Sequence, residues 1–170
     1  MAPRCRRAPD RVIAWDGLVW RILDARNAAW PCAPARAPEG RFHHSGQVAL
    51  YASLSEEGAG VAIRRYVSDA DGPRVIVPLR VAADRFVDLR ALPDPTRASI
   101  VWQDIRATGA PAPTWTFSDA ARAEGAQGML YPSRSRPDLT HLVLFEVEPP
   151  LVVAAGPPRP WPERAAGRPA

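Results

Sequence analysis

The sequence contains no lysine: all 22 of its basic residues are arginine. With 20 prolines among 170 residues and abundant alanine, that absence reads as the coding bias of a GC-rich genome rather than selection for a phosphate-binding surface. Cysteine is nearly missing as well. Cys5 and Cys32 are too few for a disulfide framework or a four-cysteine zinc site. No apolar run approaches the roughly 20 residues of a membrane-spanning helix. Residues Met1 to Asp10 are basic, but no apolar stretch follows them, so the pattern of a secretory signal is lacking. A cytoplasmic protein without a membrane anchor is expected. Internal repeats are absent, as are G-x-G-x-x-G and G-x-x-x-x-G-K-[ST] nucleotide loops.

What is present suits one domain. The composition is 46% hydrophobic and 24% charged, close to the globular average. A chain of this length buries roughly two-thirds of its unfolded surface without staples. The net charge of +4 invites a nucleic-acid reading. Yet the arginines are scattered and accompanied by acids, as in Asp24-Ala25-Arg26 and Asp84-Arg85. Phosphate tracking calls for a clustered stripe, so nucleic acid is not expected as a partner.

Residues 1–10, rich in proline and arginine, are expected to be flexible, and residues 11–155 to form the domain. Residues 156–170 carry five prolines and one large apolar side chain, Trp161, and are expected to be a disordered tail. Strands are expected at Leu18–Leu23, Val48–Leu54, Arg74–Val81, Arg85–Leu89, Gly128–Pro132 and His141–Val147. Ala28–Glu39 reads as an irregular loop and Asp69–Pro73 as a turn. Ser55 is placed to cap a helix over Ala59–Val67, with Glu56 and Glu57 complementing its dipole. Thr96–Arg106 reads as helical, and Ser118 as the cap of a helix over Asp119–Glu124 that Gly125 ends. Strands and helices mix without strict βαβ alternation, which indicates an α+β fold.

Three clusters bear chemistry-capable side chains: Gly40-Arg41-Phe42-His43-His44 running to Tyr51, the helix after Ser55, and Gly128-Met129-Leu130-Tyr131-Pro132-Ser133. Adjacent His43 and His44 point to opposite faces of an extended chain, and the only other histidine is His141, so a metal site is not expected. Singly, Arg41 reads as a surface arginine, Tyr51 as a half-buried strand residue and Ser133 as a turn residue. Trp102 and Trp115 read as packing residues. Asp104 and Arg106 are placed to pair with each other.

Taken in order, these clusters resemble the RES domain, a family of bacterial toxins that destroy NAD and are neutralised by antitoxins with an Xre-like region. The resemblance runs from Trp20-Arg21-Ile22 through Gly40-Arg41-Phe42 to Ala49-Leu50-Tyr51-Ala52-Ser53, with ten residues from Arg41 to Tyr51. It continues in Gly128-Met129-Leu130-Tyr131-Pro132-Ser133 and closes at Leu142-Val143-Leu144-Phe145. It implies an ADP-ribosyltransferase-like fold, a compact mixed or antiparallel sheet with flanking helices and a cleft. The activity it implies is NAD glycohydrolysis, or phosphorolysis with inorganic phosphate as co-substrate, with NAD as substrate and no separate cofactor. Arg41, Tyr51 and Ser133 would be catalytic; Arg21, His43 and His44 would bind the nucleotide. Self-association is left open.

One position departs from the family. The carboxylate that the family's helix carries after the tyrosine strand falls here on Ala62. At about 100° per residue, Glu57 lies roughly 140° and Glu56 roughly 120° around the helix from that position, whereas Arg65 and Tyr66 share its face. Loss of one preorganised electrostatic partner costs roughly 10²- to 10³-fold in rate. The alternative reading is therefore a catalytically impaired, nucleotide-binding or regulatory member.

Overall fold

Two long strands, β1 (Val12–Asp24) and β3 (Arg74–Asp88), form the spine of the computed structural model, which describes residues 12–68 and 71–162. They pair antiparallel along their length, from Val12 opposite Val87 to Asp24 opposite Arg74. The expected strand at residues 18–23 is the inner part of β1, and the two strands expected at 74–81 and 85–89 are one. Pairing with β1 carries β3 through the polar Asp84-Arg85 step, where sequence polarity alone points to a break. The expected flexible start and the first two residues of the turn at 69–73 lie outside the described residues.

The shorter elements follow in order: β2 (Leu50–Ser53), α1 (Glu56–Ile63), α2 (Trp102–Ala107), α3 (Trp115–Ala123), β4 (Gly128–Pro132), β5 (Thr140–Leu144), β6 (Val152–Ala154) and β7 (Arg159–Trp161). The sheet order is β1-β2-β5-β4-β3-β6, and the β1–β3 pairing closes five of these strands into a ring. Only β3 and β4 run parallel, so the sheet is mixed and the fold is α+β. No helix among the described residues is long and apolar enough to cross a membrane.

Period-two alternation sorts the side chains of the central strands to two faces. Leu130, Leu142 and Leu144 join Val19, Leu79 and Phe86 in one core, while Met129, Tyr131 and Val143 join Phe42, Leu89 and Phe145 in another. Consequently every residue of β4 is buried. Gly128 is required there: a Cβ would stand 2.4 Å from the Val143 carbonyl oxygen and 2.7 Å from the Phe86 ring.

Helix α1 starts where its cap dictates, with Ser55 Oγ accepting from Gly58 N at 3.0 Å, and it ends earlier than expected, passing into a 3-10 turn at Arg64–Tyr66. The helix expected over 96–106 is two pieces, a 3-10 turn at Pro95–Ala98 and α2. Ser118 does not cap α3; it sits inside the helix, and its hydroxyl donates back to the Trp115 carbonyl. Gly125 does end it, at φ +73°.

The tail expected to begin at residue 156 is a correction. β7 pairs with the start of β3, Trp161 opposite Arg74, and the Trp161 ring packs against Gly60 of α1. Its indole joins Ile22, Ala59 and Ile76 in a small apolar cluster. Backbone pairing supplies the order that one tryptophan alone could not, because β3 leaves an outer edge free at its start, ahead of its junctions with β6 and β4. Residues 163–170 lie outside the described structure.

Candidate active site

A cavity of about 480 Å³ opens between α1, the loop preceding β2, the start of α2 and the ends of β4 and β5. Arg21, Arg41, His43, Tyr51 and Ser133 all line it, so residues 112 positions apart meet in one place (133 − 21). Ala62, Arg65 and Tyr66 of the α1 segment line it too, as their shared helical face requires.

Arg41 is held by its flanks rather than by a counter-ion. One guanidinium nitrogen donates to the Ala98 carbonyl, and the group lies 4.9 Å from the Tyr131 ring centre and 5.1 Å from that of Phe42. Its Nε is buried with no hydrogen-bond partner among the described residues. Burial pushes the Arg41 pKa down, with the nearby tyrosines opposing it in part. A desolvated cation without a carboxylate partner among the described residues favours an anion nearby. Arg65 and Arg134 line the same cavity.

Arg21 also lines the cavity, but its charge is spent on the fold. The same nitrogen donates to the carbonyls of Pro31, at 2.7 Å, and Ala33, at 2.5 Å, which fixes the irregular loop against β1. It anchors the loop that carries the site.

Tyr51 presents its ring to the cavity while its hydroxyl turns into the loop. The hydroxyl accepts from Phe42 N at 3.0 Å and meets His43 Nδ1 at 2.8 Å. His43 Nε2 lies 2.9 Å from the Ala37 carbonyl, which can only accept, so this nitrogen carries hydrogen. The Tyr51 hydroxyl, accepting from Phe42 N, in turn donates its hydrogen bond to Nδ1. Burial raises the Tyr51 pKa strongly. With both ring nitrogens engaged and 2% exposure, His43 holds the loop to β2 and has no free nitrogen for a nucleotide.

The structure does not bring His44 to the cavity. Its Nε2 bonds Asp119 at 3.0 Å, and its ring stacks 4.6 Å from Trp115. Asp104 and Arg106 do not pair; Arg106 grips Glu39 through two contacts of 3.1 Å, and the nearest cation to Asp104 is Arg65, at 3.8 Å. Glu56 and Glu57 face away from the cavity toward Arg159 and Arg136.

Sequence reasoning missed three contributors. His141 lines the cavity, and its Nδ1 lies 2.7 Å from the buried Ser53 Oγ. Burial, helped by Arg41, pushes this imidazole pKa from 6.5 down to about 4, so the ring is neutral at physiological pH. Trp102 belongs to the cavity mouth with Tyr66, whose hydroxyl accepts from Gln103 at 2.9 Å. Glu39 is the cavity's carboxylate. Only the lone third histidine gave any signal in the sequence; the other two depend on where α2 folds back.

No metal-capable group of three His, Cys, Asp or Glu side chains exists among the described residues. The family model of the RES domain matches residues 18–164. No curated protein matches the sequence. Among solved structures, the fold is similar to that in the crystal structure of the M. tuberculosis MbcT–MbcA toxin–antitoxin complex. The likeness has a TM-score of 0.53 and 14% identity, over 88% of this chain and 86% of that one.

Proposed function

The chain belongs to the RES domain family, and from that premise we propose that it consumes NAD, breaking the bond between ribose and nicotinamide, as the toxin of a toxin–antitoxin pair. The observation that carries the reading is Arg41, a half-buried guanidinium with no carboxylate partner among the described residues, in a cavity where four arginines outnumber one carboxylate. That balance favours an anionic ligand with a diphosphate or phosphate group. Arg41 would take the diphosphate or an attacking phosphate, and the Tyr51 ring would cover the nicotinamide riboside. The Ser133 hydroxyl would bond its polar edge. Tyr66 and Trp102, at the mouth, suit the second base by stacking.

Nicotinamide leaves as a neutral base from a cationic one, so the reaction needs no general acid. Its positive transition state does call for a nearby negative charge. The partner proposed is a small antitoxin covering the mouth of the cavity. A binding protein without turnover is the second reading, and Ala62 is the residue that favours it. Purified protein incubated with NAD, with and without inorganic phosphate, decides between them by nicotinamide release. Release in either condition is expected; binding without release at high protein concentration supports the second reading.

A further inference from the structure

We propose that Glu39 supplies the negative charge that position 62 lacks. This rests on the NAD-cleaving reading above. Among the residues lining the cavity Glu39 is the one carboxylate, two positions before Arg41 in sequence, and Ala62 lines the same cavity. It precedes Gly40, whose Cα lies so close to the Tyr51–His43 pair that a Cβ there would stand 3.1 Å from the Tyr51 hydroxyl and 2.4 Å from the His43 ring. The backbone that carries Glu39 therefore runs beside the ring proposed to cover the nicotinamide riboside.

Its position is fixed from behind. Arg106 Nε and a second guanidinium nitrogen each meet one Glu39 oxygen at 3.1 Å. The same guanidinium lies 5.1 Å from the Trp115 ring centre, and Trp115 Nε1 donates to the Gly40 carbonyl at 2.8 Å. Glu39, Arg106, Trp115 and Gly40 thus close a loop of contacts that returns to the residue after Glu39. A carboxylate held in this way is oriented before the substrate arrives, which is what electrostatic stabilisation of a cationic transition state requires. Arg106 also offsets part of its charge, so the contribution is smaller than that of an unpaired carboxylate.

In the step itself the C–N bond to ribose breaks, and its electron pair goes to the nicotinamide nitrogen, cancelling the ring's charge. The ribose carbon, positive in the transition state, gains a bond from a water or phosphate oxygen. With water, one proton is released to solvent; with phosphate, none need move. Glu39 takes no proton and forms no bond.

Turnover by Glu39→Gln, by Ala62→Glu and by the double variant tests this, with nicotinamide release and NAD affinity by calorimetry as readouts. Glu39→Gln is expected to lower kcat by about tenfold to a hundredfold while affinity stays within about twofold. Adding Ala62→Glu to it restores turnover, which a merely structural role for Glu39 would not allow. Ala62→Glu alone gains little, because a charge is already present; this variant reads the proposal even if loss of Glu39 weakens folding. A kcat unchanged in Glu39→Gln, or a gain near a hundredfold from Ala62→Glu alone, overturns the role of Glu39 and leaves the NAD-cleaving reading intact. Absence of nicotinamide release from the unaltered protein overturns both.

Discussion

The cavity has two kinds of wall. On one side stand β2, β4 and β5, joined by continuous backbone ladders and buried on both faces. On the other side, residues 28–43 and the segment from Pro95 to Trp115 meet through single side chains that reach distant carbonyls. Arg41 donates to the Ala98 carbonyl, Thr114 to that of Arg41 and Trp115 to that of Gly40, across 57, 73 and 75 residues. Helix α2, within this side, has no buried residue at all. The ladder side is held by burial, where one lost contact is felt throughout. The tied side is held by separate polar contacts, each worth about 1 kcal/mol, so a charged group such as Arg41 can be presented to a ligand without a carboxylate neutralising it. Stability belongs to the first wall and charge to the second.

The sharpest way to break this contrast is at the ladder wall. Gly128→Ala would set a Cβ against backbone, 2.4 Å from the Val143 oxygen, which no rotamer change can relieve. A loss of about 3 kcal/mol or more is expected, a large share of an ordinary domain's stability. Chemical denaturation measures it. A variant as stable as the parent would mean that β4 and β5 can slide, and the ladder wall would no longer be the rigid one.

Next comes His141, on the same wall. Its folded pKa, about 4, lies below the 6.5 of the free side chain, so between those values the unfolded chain binds the extra proton. Stability is therefore full above about pH 6.5, falls as the pH drops toward 4 and loses about 3 kcal/mol in all. Melting temperature followed against pH shows the slope, and His141→Gln, which cannot take up the proton, flattens it. An equal slope in both proteins would assign the acid sensitivity elsewhere.

A smaller effect on stability, with a large one on binding, is expected across the cavity. Arg41→Gln removes a cation whose burial is not offset by a carboxylate, so the melting temperature should hardly move. Its unneutralised charge is what an anionic ligand would use, and its loss should weaken NAD binding by about 2 kcal/mol, roughly thirtyfold. Calorimetry on the folded variant separates the two. A variant that unfolds but, where folded, binds normally would place Arg41 among the structural residues with Arg21.

The same contrast explains what the sequence discloses. Strand β4 was legible to the residue because a run buried on both faces, bounded by Gly128 and Pro132, leaves few alternatives. Ser55 and Gly125 declare their helix ends by local chemistry. Arg41, Tyr51 and Ser133 were found through a family resemblance and do meet at one cavity. What stayed hidden depends on contacts far apart in the chain. The Glu39–Arg106 pair spans 67 residues, and no local pattern marks either partner. Strand β7 looks like a proline-rich tail until β3 offers an edge, and His43 looks like a free imidazole until Ala37 and Tyr51 occupy both nitrogens.

The smallest effect is expected at the two glutamates that open α1, and its smallness is informative. Glu57 meets Arg136 at 2.9 Å with side chains 60% and 46% exposed, and Glu56 meets Arg159 at 2.5 Å in similar surroundings. Ion pairs this open contribute about 0–1 kcal/mol, and neither carboxylate belongs to the cavity lining. Glu57→Gln should therefore leave turnover unchanged and move the melting temperature by a degree or two at most. In sequence, though, these are the acids closest to the missing helix carboxylate, and a swing of the helix start would be the simplest way to recruit one. If Glu57→Gln lowers kcat while NAD affinity holds, α1 turns when the ligand binds, and the charge comes from α1 rather than from Glu39 on the tied side.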